Sequence, residues 1–362
     1  MTALPTRKLE AWRYTDLRAL ANTSFAPPAP ASLPVLPDVA AARLVFVNGV
    51  FVAEHSSHFE YAQPFADFTE DSVLPLALIN AEQARDGITI TVPAGVDAGD
   101  VLIYSYATGG EIHLRHRISL GEGAKLTLIE IAAGENEYWH DPVFDIALAE
   151  GATLAHYRLQ DESPTAFHLA TIKTSLAAKS AYESFSAVLG SKISRAEFHV
   201  AINGEAASTH INAAQLLGGT QHGDFTTVIA HKAPNCASRQ TIKSVLSDTA
   251  RGVFQGRIEV DRIAQKTDGY QMNQALLLSP GAEMDIKPEL QIFADDVKCS
   301  HGATIGALDE EQVFYLRSRG IPEPQARAML IRAFLTAALE SVTHAGALQL
   351  FESAFADWWD QK

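Results

Sequence analysis

The feature that most constrains this chain is an alternation of apolar and polar residues that begins at Gly87 and persists, in short runs, to Gly306. In GITITVPAG, Ile88, Ile90 and Val92 alternate with Thr89 and Thr91. In EIHLRHRISL, Ile112, Leu114, Ile118 and Leu120 alternate with His113, Arg115, Arg117 and Ser119. Successive strand residues point to opposite faces, so a period of two broken by Gly, Asn and Asp predicts strand after strand. No convincing helix interrupts the stretch. A weak repeat runs through it: GEGAKLTL (121–128), AEGATLAH (149–156) and SPGAEMDI (279–286) each set a Gly-Ala turn before an alternating strand. The first two Gly-Ala pairs lie 28 residues apart (151 − 123). A repeating turn–strand unit of this length suggests a β-solenoid, in which each coil buries its faces by stacking on the next. Spacing alone leaves a large β-sandwich with similar hairpins equally open.

The flanks read differently. Residues 1–86 are expected to be mostly helical, with a short helix or two over Pro5–Ala21 from the spacing of Leu9, Trp12, Leu17 and Leu20. The proline-rich SFAPPAPASLPVLPD (24–38) forbids a helix and reads as an extended connector. Asn48-Gly49, between two β-branched and aromatic runs, predicts a hairpin, because both turn positions need φ > 0. Residues 64–86 look helical in part, with Pro75 as an interruption. The middle, 87–306, is the β-rich core.

Residues 307–362 are expected to be helical. Asp309 serves as N-cap, Glu310 and Glu311 fill the first turn, Arg317 and Arg319 the last, and Gly320 stops the helix. A second helix starts near Pro322 or Pro324, with an apolar face of Ala326, Met329, Leu330, Ala333, Phe334 and Ala337. ALQLFESAFADWWDQK forms a third amphipathic stretch. Helices at both termini could cap a solenoid, and the second is apolar enough to bind a partner.

Composition enters as a filter on function. Asp and Glu number 43 against 28 Lys and Arg, a net charge of −15. That disfavours nucleic acid and anionic membranes, which need a basic face. No apolar run approaches a membrane span, and the N-terminus resembles neither a secretory signal nor a transit peptide. Two cysteines, Cys236 and Cys299, are read as reduced thiols of a cytoplasmic protein. There is no phosphate-binding glycine loop, no nucleophile elbow and no metalloprotease helix.

Cys299-Ser300-His301 is the sharpest chemical feature. On a strand the two side chains share a face, and a thiolate with an imidazole suits iron or zinc. The neighbouring Asp295-Asp296 could add oxygen ligands. Two ligands do not close a site, so Cys236 and His231 from another coil, or a second protein, would have to complete it. The plainer reading is a half-hydrophobic buried thiol beside an incidental histidine. Cys236, in HKAPNCASRQ, reads as structural. His116, in the inward register between Leu114 and Ile118, reads as a satisfied core histidine.

DDVKCSHGATIGALDEEQVFYLRSRGI (295–321) resembles the C-terminal signature of the SufB/SufD family of iron–sulfur cluster assembly proteins. RKLEAWRYTDL and HKAPNCASRQTIKSVLSDTARGVFQGRIEV resemble further blocks of that family, in the same order, so the resemblance spans the chain. The cysteine-poor composition is similar to the SufD branch. The resemblance implies a right-handed parallel β-helix between terminal helical regions. It implies a non-catalytic scaffold subunit of a SufBCD complex, paired with SufB and docked to a SufC ATPase through helices matching Asp309–Val342. Within them, Phe314, Tyr315, Leu316, Met329, Leu330 and Phe334 are the docking candidates. His301 matches the family's interface histidine, facing a cysteine of SufB, and Cys299 the neighbouring cysteine, so a transient iron–sulfur cluster or iron would be shared between subunits. Reduced flavin is associated with such complexes; no flavin motif is present, and no cofactor is expected to bind the isolated chain tightly. The alternatives are a purely structural partner without a ligand and, more remotely, a polysaccharide-active β-helix enzyme. A homodimer of the isolated chain is a further expectation.

Overall fold

Alternation over so many runs requires partners for every strand, and the chain finds them in itself. The structure, a computed structural model, describes residues 2–30, 33–70 and 72–360; Ala31 and Ser32 of the proline-rich connector and the final Gln361 and Lys362 lie outside them. One sheet starts with the hairpin β1 (Ala42–Val47) and β2 (Val50–Phe51). It continues through β5 (Asp97–Ala107), β7 (Lys125–Gly134), β9 (Thr153–Asp161), β11 (Ala181–Val188), β13 (Ser208–Leu217), β15 (Ala237–Leu246) and β17 (Asp268–Leu277) to β19 (Lys298–Gly306). The other starts with β3 (Ala62–Pro64) and β4 (Asp86–Val92). It runs through β6 (Gly110–Leu120), β8 (Tyr138–Leu148), β10 (Phe167–Leu176), β12 (Ile193–Ile202), β14 (His222–His231) and β16 (Arg251–Val260) to β18 (Glu283–Ile292). Among the described residues only β1–β2 and β3–β4 pair antiparallel. The chain crosses from one sheet to the other after each strand, which makes a β-solenoid of about 8 coils and removes the sandwich alternative.

The period is set by the turns. From β4 onward, paired residues on neighbouring coils are separated by as few as 26 positions (Phe167 and Ile193) and as many as 32 (Arg251 and Glu283). At one corner a single left-handed residue recurs in six successive coils: Gly123, Gly151, Lys179, Ala206, Asn235 and Lys266, all with φ between 58° and 67°. The residue after each is small and buried: Ala124, Ala152, Ser180, Ala207, Cys236 and Thr267. The weak Gly-Ala repeat is this corner. The third motif is not part of it, because Gly281-Ala282 turns at the opposite corner, between β17 and β18. Cys236 therefore occupies a slot filled by alanine, serine or threonine in other coils.

Inward positions build one continuous apolar core from Leu44 and Ile88 to Ile242 and Phe254. Both outer faces are also apolar, and the terminal segments cover them. On the first sheet, Leu102, Tyr104, Ile129, Tyr157 and Phe185 pack against the C-terminal helices α4 (Glu323–Leu339) and α5 (Ala345–Asp360). On the second sheet, Trp139, Phe167, Leu169 and Ile193 pack against Trp12, Leu17 and Leu20 of the N-terminal segment, which carries the one-turn α1 (Arg18–Ala21), and against Leu76 and Ile79 of α2 (Pro75–Gln83). The terminal helices thus lie along the faces and do not cap the ends. Two local expectations are corrected. Pro75 begins α2 rather than interrupting it, since the first turn needs no backbone donor. Helix α4 buries Ile331, Leu335, Ala338 and Leu339, whereas Met329, Ala333 and Ala337 of the expected face stay exposed. The helix is apolar on more than one side, so its composition did not mark which side meets the sheet.

The N-terminal segment reaches far along the solenoid. Thr15 bonds His222 and Asp224, Gln255 Nε2 donates to the Ala11 carbonyl at 3.1 Å, and Lys287 Nζ lies 2.5 Å from a Glu10 carboxylate oxygen. The guanidinium of Arg195, buried and paired with Asp224, stacks 4.0 Å from the Trp12 ring centre. The first end of the solenoid is closed by the β1–β2 hairpin and β3. At the other end β18 and β19 have no further strand beside them among the described residues, and their side chains are half-buried or exposed along most of their length.

Candidate functional site

The open end holds the cysteine–histidine pair. Strand β19 sets Cys299 beside Gly269 and His301 beside Gln271 of β17, so both side chains share the inward register. Gly269 leaves room for the thiol: a Cβ there would lie 3.3 Å from Cys299 Sγ. Cys299 is half-buried against Ile258, Val260, Ala264 and Ala294, and burial pushes its thiol pKa up. His301 is exposed, because no coil follows to cover it. Asp295 and Asp296 are exposed in the turn leading into β19.

The other sequence candidates stay apart from this pair. Cys236 lies two strands away, about 10 Å at ordinary strand spacing, and is buried in the inner core. Its thiol donates to the Gly204 and Pro234 carbonyls at 3.2 and 3.3 Å. His231 is buried, bonds Ser238 Oγ at 2.9 Å, and is pushed down to a pKa of about 4 by burial. Neither completes a site with His301. His116 is buried as read from its register, but it is not fully satisfied: its Nδ1 has no hydrogen-bond partner.

Helix α3 (Glu310–Ser318) follows β19 directly. Asp309 caps it by accepting from the Glu311 and Gln312 amides, and Gly320 ends it with φ 88°. Phe314, Tyr315 and Met329 are exposed by 71, 57 and 45%. Leu316 and Leu330 are half-buried and line a groove with Tyr315 between α3 and α4. Phe334 is half-buried, with Lys243 Nζ 4.5 Å from its ring centre.

The sequence reading missed a set of buried polar groups. Inside the solenoid, Arg158 Nε donates to Glu130 at 2.6 Å, and His156 lies 3.3 Å from the same carboxylate. Burial would raise the Glu130 pKa, but the charges of Arg158 and His156 hold it well below the usual range. Outside, Glu70 meets Arg115 and Lys173 at 2.6 and 2.7 Å. His140, Glu162 and His168 form the one group of three ligand-bearing side chains brought together among the described residues. The signal was present in LAHYRLQ (154–160), where His156, Arg158 and Gln160 follow Leu154 in the inward register. Their partners sit a coil away in sequence.

Known proteins align with this sequence. The family model described as SUF system FeS cluster assembly, SufBD core domain, matches residues 104–334, most of the solenoid with α3 and much of α4. The iron-sulfur cluster assembly protein SufD of Escherichia coli is 36% identical, over 96% of this chain and 88% of its own length. An iron-sulfur cluster assembly SufBD family protein of Synechocystis is 30% identical over 94% and 84%. The protein ABCI7, chloroplastic, of Arabidopsis thaliana is 34% identical over 72% and 58%.

Proposed function

The chain belongs to the SufBD family of the SUF iron–sulfur cluster assembly system and is a homologue of SufD, and from that premise we propose that it is a non-catalytic scaffold subunit of a cytoplasmic SufBCD complex. The observation that carries this reading is His301, exposed on the last strand, whose outer edge has no partner strand among the described residues, and followed at once by a helix with bare aromatic side chains. An unpaired strand edge is a template for another chain. SufB is the partner assigned to that end; in the isolated chain a second copy takes its place. SufC docks on α3 and α4, with Phe314, Tyr315 and Met329 as the exposed contacts and Leu316, Leu330 and Phe334 as the side chains supporting them.

In this reading the nascent cluster, or iron, is cargo held between subunits. A neutral His301 donates one ring nitrogen to iron opposite a thiolate of SufB, and Cys299 stands behind it as a less accessible thiol. Approach of two SufC subunits on ATP binding pulls on α3 and α4. Because α3 continues directly from β19, that motion opens the shared end. Reduced flavin belongs to the complex rather than to a pocket of this chain. Family membership leaves the polysaccharide-active reading without support. The competing reading is a purely structural partner, favoured by the lack of a third ligand near Cys299 and His301 among the described residues. One experiment separates the two: anaerobic purification of the complex with His301→Ala, followed by iron and acid-labile sulfide analysis. A scaffold ligand predicts a loss of most of the cluster with the complex intact; unchanged content assigns the chain a structural role only.

A further inference from the structure

Near the middle of the solenoid, three buried side chains from successive strands converge at one corner. His140 comes from β8, Glu162 follows the end of β9, and His168 comes from β10; they are 2, 4 and 2% exposed. His140 Nδ1 lies 3.0 Å from Glu162 Oε1 and His168 Nδ1 2.7 Å from Glu162 Oε2, and one ligand atom from each of the three residues falls within 4.8 Å of the others. Hydrogen bonding accounts for only one side of the group, the contact between His140 Nδ1 and Glu162. The His168 contact has the distance of an ion pair but not the direction of a hydrogen bond. His140 Nε2 and both ring nitrogens of His168 therefore lack hydrogen-bond partners, although buried polar atoms ordinarily find them. Gln160 donates to Glu162 at 2.9 Å while its own carbonyl oxygen stays unpartnered. A void of about 10 Å³, the size of one water, reaches the group at His168 and is lined also by Gln160 and Ser194, but by neither His140 nor Glu162.

We propose that His140, Glu162 and His168 are the protein ligands of a buried divalent ion of the zinc(II) type, with a water completing its coordination. Two imidazoles and a carboxylate are a donor set that such ions accept. The carboxylate neutralises half of the ion's charge, and the ion takes one ring nitrogen of each histidine, which gives His168 the partner it otherwise lacks. The ion joins strands of both sheets in consecutive coils, so it acts as a clamp inside the solenoid. The site is independent of His301 and Cys299, which sit on β19.

The test uses the full chain carrying Cys299→Ser and His301→Ala, so that the open end cannot hold metal. The chain is stripped with a chelator in denaturant and refolded with cobalt(II). The proposal expects one cobalt per chain, the intense visible bands of a four- or five-coordinate ion, displacement by zinc(II), and a higher melting temperature with either ion. His168→Ala and Glu162→Gln each weaken cobalt binding by more than about 100-fold, beyond the loss typical when a residue that only hydrogen-bonds to a ligand is changed. Absence of stoichiometric cobalt, or equal affinity in variants that circular dichroism shows to be folded, overturns the proposal. If the variants do not fold, cobalt-edge anomalous diffraction from the refolded Cys299→Ser/His301→Ala chain decides: an ion between the three side chains supports the site, and an ion elsewhere refutes it.

Discussion

A single buried histidine shows how much one inward position can govern. His116 packs between the rings of Phe46 and Phe144, with centroids 5.4 and 4.7 Å away. Burial pushes its pKa down to about 3, against the opposing pull of Glu130, and His231 falls to about 4 from burial alone. Both are neutral when folded and take up a proton when unfolded. The unfolded state therefore binds more protons below pH 6.5, and stability falls as pH drops from 6.5 toward 4 and 3. Between pH 7 and 5 each such histidine removes on the order of 1–2 kcal/mol. Urea unfolding at the two pH values is expected to show that loss, and His116→Phe, which keeps an aromatic ring in the stack, to remove its share. An unchanged slope in the variant would refute the assignment. The position of His116 was legible because register needs only the neighbours in sequence. The Glu130–Arg158 pair and the His140–Glu162–His168 group were not, because strand pairing brings them together across a coil whose length varies.

Two elements whose cause is local were read correctly. The Asn48-Gly49 turn closes β1 onto β2 with φ of 50° and 78°, and Asp309 caps α3 through its own carboxylate. The coil corner extends the same logic. Lys179 and Ala206 hold the left-handed conformation that Gly123 and Gly151 supply without a steric penalty. Ala206→Gly is expected to stabilise the chain by about 1 kcal/mol, seen as a raised urea midpoint; a lowered midpoint would show that the corner is not strained. The face of α4 was misread because the chemistry of a helix that is apolar on two sides does not say which side has a partner. Its second side carries the docking prediction. Phe314→Ala with Met329→Ala is expected to shift stability by less than about 0.5 kcal/mol while abolishing co-purification with the ATPase. Retained co-purification would move the docking surface elsewhere.

At the scale of the molecule, the two ends of the solenoid differ in kind. One is closed by antiparallel strands, whereas β18 and β19 present free edges with Phe293 and Ile305 exposed by 64 and 49%. Phe293→Asp with Ile305→Glu places charges there, as natural free edges do. Light scattering is expected to show the isolated chain change from dimer to monomer, and pull-down to show loss of SufB, with the melting temperature little altered. A wild-type monomer, or a variant that still binds SufB, would place the interface elsewhere. The segment that docks Trp12 onto Arg195 and Glu10 onto Lys287, 277 residues apart, has a consequence of another order. During synthesis it leaves the ribosome before its landing strands exist and must wait, unburied, until nearly the whole solenoid has been made. Stacked coils would otherwise be free to unzip from either end, one neighbour at a time. Fastened by this late buckle, first and last coils gain or lose structure together, and the array melts as one body.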